Sequence, residues 1–160
     1  MEIIKDFAEN QNGYYEEDNI KNVFSHMGRK AKFLIDGSKI SINIDEVGGA
    51  IPTAEPLRIT LHLIKKSGES LEIYPSSFME NVFQKLISFK NIQLKNNYVF
   101  KGNNKLIRQL AKEDSLLALL QKHNVYIRIP KENISKIILT PPHGIENEAQ
   151  LAGFIDILKK

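Results

Sequence analysis

The sequence contains no cysteine. That removes disulfides, thiolate metal sites and cysteine nucleophiles, and leans only slightly toward a reducing compartment. No apolar run approaches the roughly 20 residues that a membrane-spanning helix needs. The start, MEIIKDFAENQNG, lacks a basic segment followed by a continuous apolar one, so no secretory leader is expected. The chain is therefore expected in the cytoplasm if Met1 is the native start, and otherwise as a soluble domain tethered to a membrane.

Several catalytic signatures are missing as well. No serine stands in a G-x-S-x-G elbow. The phosphate-binding loop G-x-x-x-x-G-K-[ST] and the three-glycine dinucleotide fingerprint are both absent. His26, His62, His123 and His143 fall on four different expected elements, and no two are spaced to aim their imidazoles at one ion. Neither a metal nor a cofactor is expected. Carboxylates cluster at Glu16, Glu17 and Asp18 and at Asp45-Glu46, where they read as solvated turn residues.

One further absence concerns charge. Between Asn81 and Lys112 there is no acid, while Lys85, Lys90, Lys95, Lys101, Lys105, Arg108 and Lys112 give seven positive charges. The whole chain carries only +3, so the remainder is net acidic and the basic charge is segregated. Such a segment is either an ordinary solvated lysine-rich surface or a contact for phosphates or an anionic surface. Lys95, Lys101, Lys105, Arg108 and Lys112 are the candidate anion-binding residues.

What is present describes an α+β protein. At 160 residues the chain suits one domain, with 1–88 and 89–160 as candidate subdomains because a hairpin-then-helix pattern occurs twice. Residues 2–11 place Ile3, Ile4, Phe7 and Ala8 on one helical face. RKAKFLID and GSKISINID form a hairpin around Asp36-Gly37, with Ile40, Ile42 and Ile44 on one sheet face. Ile59, Leu61 and Leu63 alternate in the next strand, which puts His62 on the opposite, solvent-facing side. A Ser67-Gly68 turn then predicts a second hairpin returning along Leu71 to Tyr74. Residues 20–27 are expected to be extended, 46–56 a Gly/Pro-rich loop, and 78–88 a helix entered through a Ser77/Glu80 capping box. Short strands flank Asn96-Asn97, and helices follow from Asn104 and from Ser115, with a bend at Asp114-Ser115. A strand pair spans 125–129 and 134–140 before a final helix from about Asn147. Strands joined by such short turns pair antiparallel, so the expected fold is an antiparallel sheet built from hairpins with helices packed on it.

In YVFKGNNK, the glycine between lysines at a helix start suggests a phosphate loop. Asn103 competes with that reading, because an asparagine cap satisfies the same free amides. Tyr98 and Phe100 share a strand face beside lysines, as in a base-stacking platform, but a buried sheet face explains them more simply.

The stretch LEIYPSSFMENVFQKLISFKNIQLKNNYVFKGNNKLIRQL, followed by VYIRI, KIILTPPHG and a last helix, resembles an uncharacterised group of bacterial domains that are often attached to a membrane segment. The likeness spans about residues 69–158 and is one of layout. The sequence departs from that group in having no membrane segment, and in Asn96-Asn97 and Lys101. The resemblance implies an α+β fold and no activity.

The leading expectation is a non-enzymatic binding or interaction module that presents basic residues to an anionic membrane surface, a nucleic acid or an acidic protein. Two other readings stay open. One is a small enzyme with a site between the 48–56 loop and His143; the other is a structural or oligomerising domain.

Overall fold

The computed structural model describes residues 2–17, 28–45, 57–79 and 92–160. Within them the chain runs α1 (Glu2–Asn10), β1 (Tyr14–Glu17), β2 (Gly28–Ile35), β3 (Ser38–Asp45), β4 (Leu57–His62), β5 (Leu71–Pro75), a 3₁₀ turn (Ser76–Met79), β6 (Ile92–Lys95) and β7 (Tyr98–Gly102). It continues through α2 (Asn104–Leu110), α3 (Asp114–His123), β8 (Tyr126–Ile129), β9 (Lys136–Thr140) and α4 (Glu148–Leu158). The expected α+β class holds. The described strands form one antiparallel sheet in the order β1-β2-β3-β4-β9-β8-β5-β7-β6. Strands from 1–88 and 89–160 interleave in it. The expectations for 20–27, 46–56 and 80–88, together with His26, Lys85 and Lys90, lie outside the described residues.

Tight turns form where the sequence places them. Asp36 and Gly37 both have positive φ, as do Asn96 and Asn97, which matches the twist that two-residue hairpins require. The residues tolerate that conformation because asparagine, aspartate and glycine pay little for it. β1, in contrast, is an edge strand that the sequence did not announce. Its YYEE segment pairs with β2, setting Tyr14 opposite Lys32 and Glu16 opposite Lys30, so Glu16 and Glu17 lie in a strand and not in the expected turn, with tyrosines that favour extended backbone.

The predicted β4–β5 hairpin is corrected. The chain does reverse over residues 63–70, but the β9–β8 hairpin lies between the two strands. Leu63 N–H donates to Ser135 O at 2.9 Å and Ser67 N–H to Ile134 O at 2.8 Å. The connection is thereby tied to the entry of β9 and crosses three strand spacings, about 14 Å. Ser67-Gly68 signals a reversal, and nothing local in it names the pairing partner.

One sheet face is covered by the helices. Ile40, Ile42, Ile59, Leu139, Phe100 and Ile73 from the strands meet Ile107, Leu116, Leu120, Leu151 and Phe154 from α2, α3 and α4, all essentially buried. Each such side chain contributes roughly 1.5–3 kcal/mol by leaving water. Tyr98 and Phe100 are in this core, so the buried-face reading of that pair is correct. Tyr98 also fixes α3 to β7: its hydroxyl donates to Leu120 O at 2.7 Å, the same carbonyl that accepts the Asn124 N–H closing the helix. Burial pushes the Tyr98 hydroxyl up to about 12, against a smaller opposite pull from the Val125 backbone.

Gly102 and Gly153 are among the glycines where the chain approaches too closely for a side chain. At Gly102 (φ +153°) a Cβ would stand 2.7 Å from Ser70 O, so only glycine lets β7 pass β5 at this point. At Gly153 on α4 a Cβ would meet the His123 ring at 2.6 Å. The His123 imidazole lies against that glycine and packs edge-on to Phe154 at 5.2 Å between centroids.

Two stability outcomes follow from these contacts. Tyr98→Phe is expected to cost about 1 kcal/mol in urea unfolding, the net worth of one buried hydrogen bond, because Leu120 O keeps its Asn124 donor. Gly153→Ala is expected to destabilise by roughly 1–3 kcal/mol through overpacking, although alanine favours a helix by about 1 kcal/mol. The same substitution in a His123→Ala background should be neutral or stabilising; if it stays destabilising there, the His123 contact is not the cause.

Candidate functional site

Since alternate residues of a strand point to opposite faces, burying one face fixes what the other displays. Opposite the described helices lie Lys32 and Leu34 from β2, Lys39, Ser41 and Asn43 from β3, Thr60 and His62 from β4, and Lys136 and Ile138 from β9. Tyr126 and Arg128 from β8, Glu72 and Tyr74 from β5, and Lys101 from β7 continue the same face. Among the described residues no helix covers it.

The two halves of this face differ in charge. On the β8-β5-β7 side the register sets Glu72 between Arg128 and Lys101, and Lys101 Nζ lies 3.4 Å from Glu72 Oε2. Around the strand ends is an open cleft of about 730 Å³ lined by Glu69, Glu72, Lys101, Asn103, Arg128, Lys131 and Glu132 among others. Acids and bases balance there. Tyr74 and Tyr126 meet edge to face at 6.1 Å.

On the β2-β3-β4-β9 side the balance is lost. Lys39, His62 and Lys136 are direct cross-strand neighbours, with Cβ atoms about 5 Å apart by the geometry of such pairs. Lys32 stands one row away, opposite Ser41. Among the described residues none of the three lysines pairs with a carboxylate. His62 Nε2 lies 2.8 Å from Ser41 Oγ, and Ser41 itself is buried. The imidazole is held below its ordinary value by burial first, and then by the charges of Lys39, Lys136 and Lys32. The three lysine charges thus act on one ring. Lys39 and Lys136 each stand one strand spacing from His62 and two from each other, about 10 Å, so their charges meet at the ring and not at one another.

A Ser–His pair can activate a nucleophile, but no carboxylate orients His62 among the described residues. The Ser41 N–H belongs to a strand in mid-sheet, so it contributes no oxyanion hole. An anion placed over Lys39, His62 and Lys136 would meet two ammonium groups and an imidazole able to accept a proton.

The sequence candidates are dispersed. Lys101 is on the open face and engaged with Glu72. Lys105, Arg108 and Lys112 are exposed on or just beyond α2, which packs on the other side of the sheet, and Lys95 is exposed at the β6–β7 turn. The YVFKGNNK segment is a strand end and a capped helix. Asn103 Oδ1 accepts from the Lys105 and Leu106 amides at 2.9 and 3.3 Å, while its Nδ2 donates to Glu69 at 3.1 Å. With the cap and a carboxylate already there, that helix start is not built for an anion. His143 is exposed and does not line the cleft; the 48–56 loop expected to face it is outside the described residues.

The Lys32, Lys39, His62, Lys136 cluster was not found from sequence. Alternation alone placed His62 on the face away from the core, but the lysines reach it from strands whose pairing the sequence left unspecified.

No family model matches the chain, and no curated protein matches it in sequence. Among the described residues no helix is long and apolar enough to cross a membrane. The crystal structure of the mycobacterial trehalose monomycolate transport factor A, TtfA, is similar to this fold with a TM-score of 0.67, covering 99% of this chain and 89% of that one. At 12% sequence identity the likeness is one of fold alone.

Proposed function

We propose that the protein is a non-enzymatic binding module for an anionic partner, and that its contact is the sheet face opposite the described helices, around Lys32, Lys39, His62 and Lys136. The observation that carries this is the convergence of three lysines on His62 with no carboxylate among the described residues to neutralise them. Cations gathered without a carboxylate repel one another with only water and salt to screen them, and an anionic partner relieves that repulsion. The α2 lysines form a second, weaker candidate because they are exposed, dispersed and built on a helix whose start is already capped.

Retention on immobilised heparin tests the reading. The wild-type chain should be retained at low ionic strength and released by salt. Lys39→Glu/Lys136→Glu should abolish retention, and Lys105→Glu/Arg108→Glu should leave most of it. No retention of the wild type would sink the anionic-partner reading; loss only in the α2 variant would move the contact to the helix.

His62 supplies a second test with a definite sign. Its folded value is depressed, as is that of His123 through burial first and then Lys122. Both histidines therefore favour the folded state fully above the unfolded value, near 6.5, and stability falls as pH drops from there toward the folded values. A bound anion favours imidazolium, so inorganic phosphate or heparin should raise the His62 titration midpoint in NMR and leave that of His123 in place. Equal shifts of both, or of neither, would count against a site at His62.

A further inference from the structure

The anionic partner that this face fits best is a lipid surface, and the feature that distinguishes it lies at one end of the sheet. Resting on the reading above, we infer that the end formed by the β2–β3 turn and the 63–66 loop is a membrane-surface contact, in which Ile64 enters the lipid headgroup region while the surrounding lysines meet anionic phosphates.

Ile64 is 95% exposed, the most exposed of the large apolar side chains in the described residues. It is not on a loose tip. The loop carrying it is held on both sides, by Leu63 N–H to Ser135 O and by Ser67 N–H to Ile134 O, which sets it beside the start of β9 and so beside Lys136. Lys65 and Lys66 follow it directly and are exposed. Two residues before it stands His62, with Lys39 as its cross-strand neighbour. Leu34, 61% exposed, lies opposite Lys39 on the same face. Tyr14, 53% exposed, stands opposite Lys32, and tyrosine suits a boundary that is apolar on one side and wet on the other. Asp36, at the β2–β3 turn, is paired with Lys159 and does not cancel the lysines.

An aliphatic side chain held fully in water costs free energy that burial recovers, and a ring of lysines around it adds attraction to anionic headgroups. This combination of insertion and charge is what peripheral membrane contacts use. A nucleic acid would gain little from an exposed isoleucine, since single strands are read by aromatic stacking. Tyr74 and Tyr126, the aromatics on the other half of the face, are turned edge to face on each other beside the neutralised Glu72 row.

The chain has no tryptophan, so Ile64→Trp introduces a single fluorescent reporter. With phosphatidylcholine vesicles containing phosphatidylglycerol its emission should shift to the blue and be quenched by brominated lipid; with phosphatidylcholine alone, or with a single-stranded oligonucleotide, it should do neither. Ile64→Asp should weaken co-sedimentation with the anionic vesicles roughly tenfold, the equivalent of losing one buried aliphatic side chain, while heparin retention persists. An unshifted reporter together with unchanged binding of Ile64→Asp would overturn insertion. Tighter binding to the oligonucleotide than to the vesicles would overturn the lipid assignment, and failure to bind vesicles and heparin alike would remove the anionic-partner reading beneath it.

Discussion

The pairing of β9 with β4 is the contact on which the rest of the molecule depends. Ile59 to His62 meet Leu139 to Lys136 in antiparallel register. This short ladder joins the four-stranded β1–β4 meander to the five strands β9-β8-β5-β7-β6. It aligns the two halves of the apolar face, so that Ile59 and Leu139, both fully buried, belong to one core that α4 can cover. The period of two then leaves no freedom on the reverse side. If Leu139 and Ile59 point inward, Lys136 and His62 must stand side by side outward. The core and the charged cluster are two consequences of a single register.

That coupling also shapes the charge layout. Glu72 divides the cations of β8 and β7 and holds Lys101, so this half of the face is self-compensated. No acid occupies the equivalent position between β3 and β9, where His62 stands instead. Burial and the charges of Lys39, Lys136 and Lys32 lower the proton affinity of that imidazole. His123 has a depressed value too, from burial against Gly153 and Phe154 first and then from the charge of Lys122. The two histidines share the direction of shift and its leading cause, burial, and differ in the number of lysines that add to it.

Local signals in the sequence were reliable where the controlling residues lie within a few positions. Asp36-Gly37 and Asn96-Asn97 set their turns, Asn103 caps its helix, and the isoleucine alternation of β3 marks its buried side, because each depends on backbone conformation or on a neighbouring amide. Pairing at long range was not legible. Ser67-Gly68 has the composition of a hairpin turn, yet the chain uses it to step over the β8–β9 hairpin, which only the closing of the whole core decides. The site was hidden for the same reason. Lys32, Lys39 and Lys136 come from separate stretches of unremarkable composition, whereas the run of basic residues visible in the sequence is divided in space between α2, a turn and the open face.

A lysine-rich sheet has an ordinary explanation that applies elsewhere in proteins: lysines on an edge strand block pairing with another chain. It does not apply at this cluster. The edges of the described sheet are β1 and β6, each four residues long, and their shortness already limits that hazard. Lys39 and Lys136 stand on β3 and β9, which have hydrogen-bonded neighbours on both sides. Solubility is not a sufficient reason either, because an open face stays soluble with both signs interspersed, as the β8-β5-β7 half is. Gathering lysines around a half-buried histidine lowers the proton affinity of that ring and gains no ion pair in return among the described residues. Local rules tend to be broken where a protein does its work, and in the described sheet this row is where charge pairing is given up.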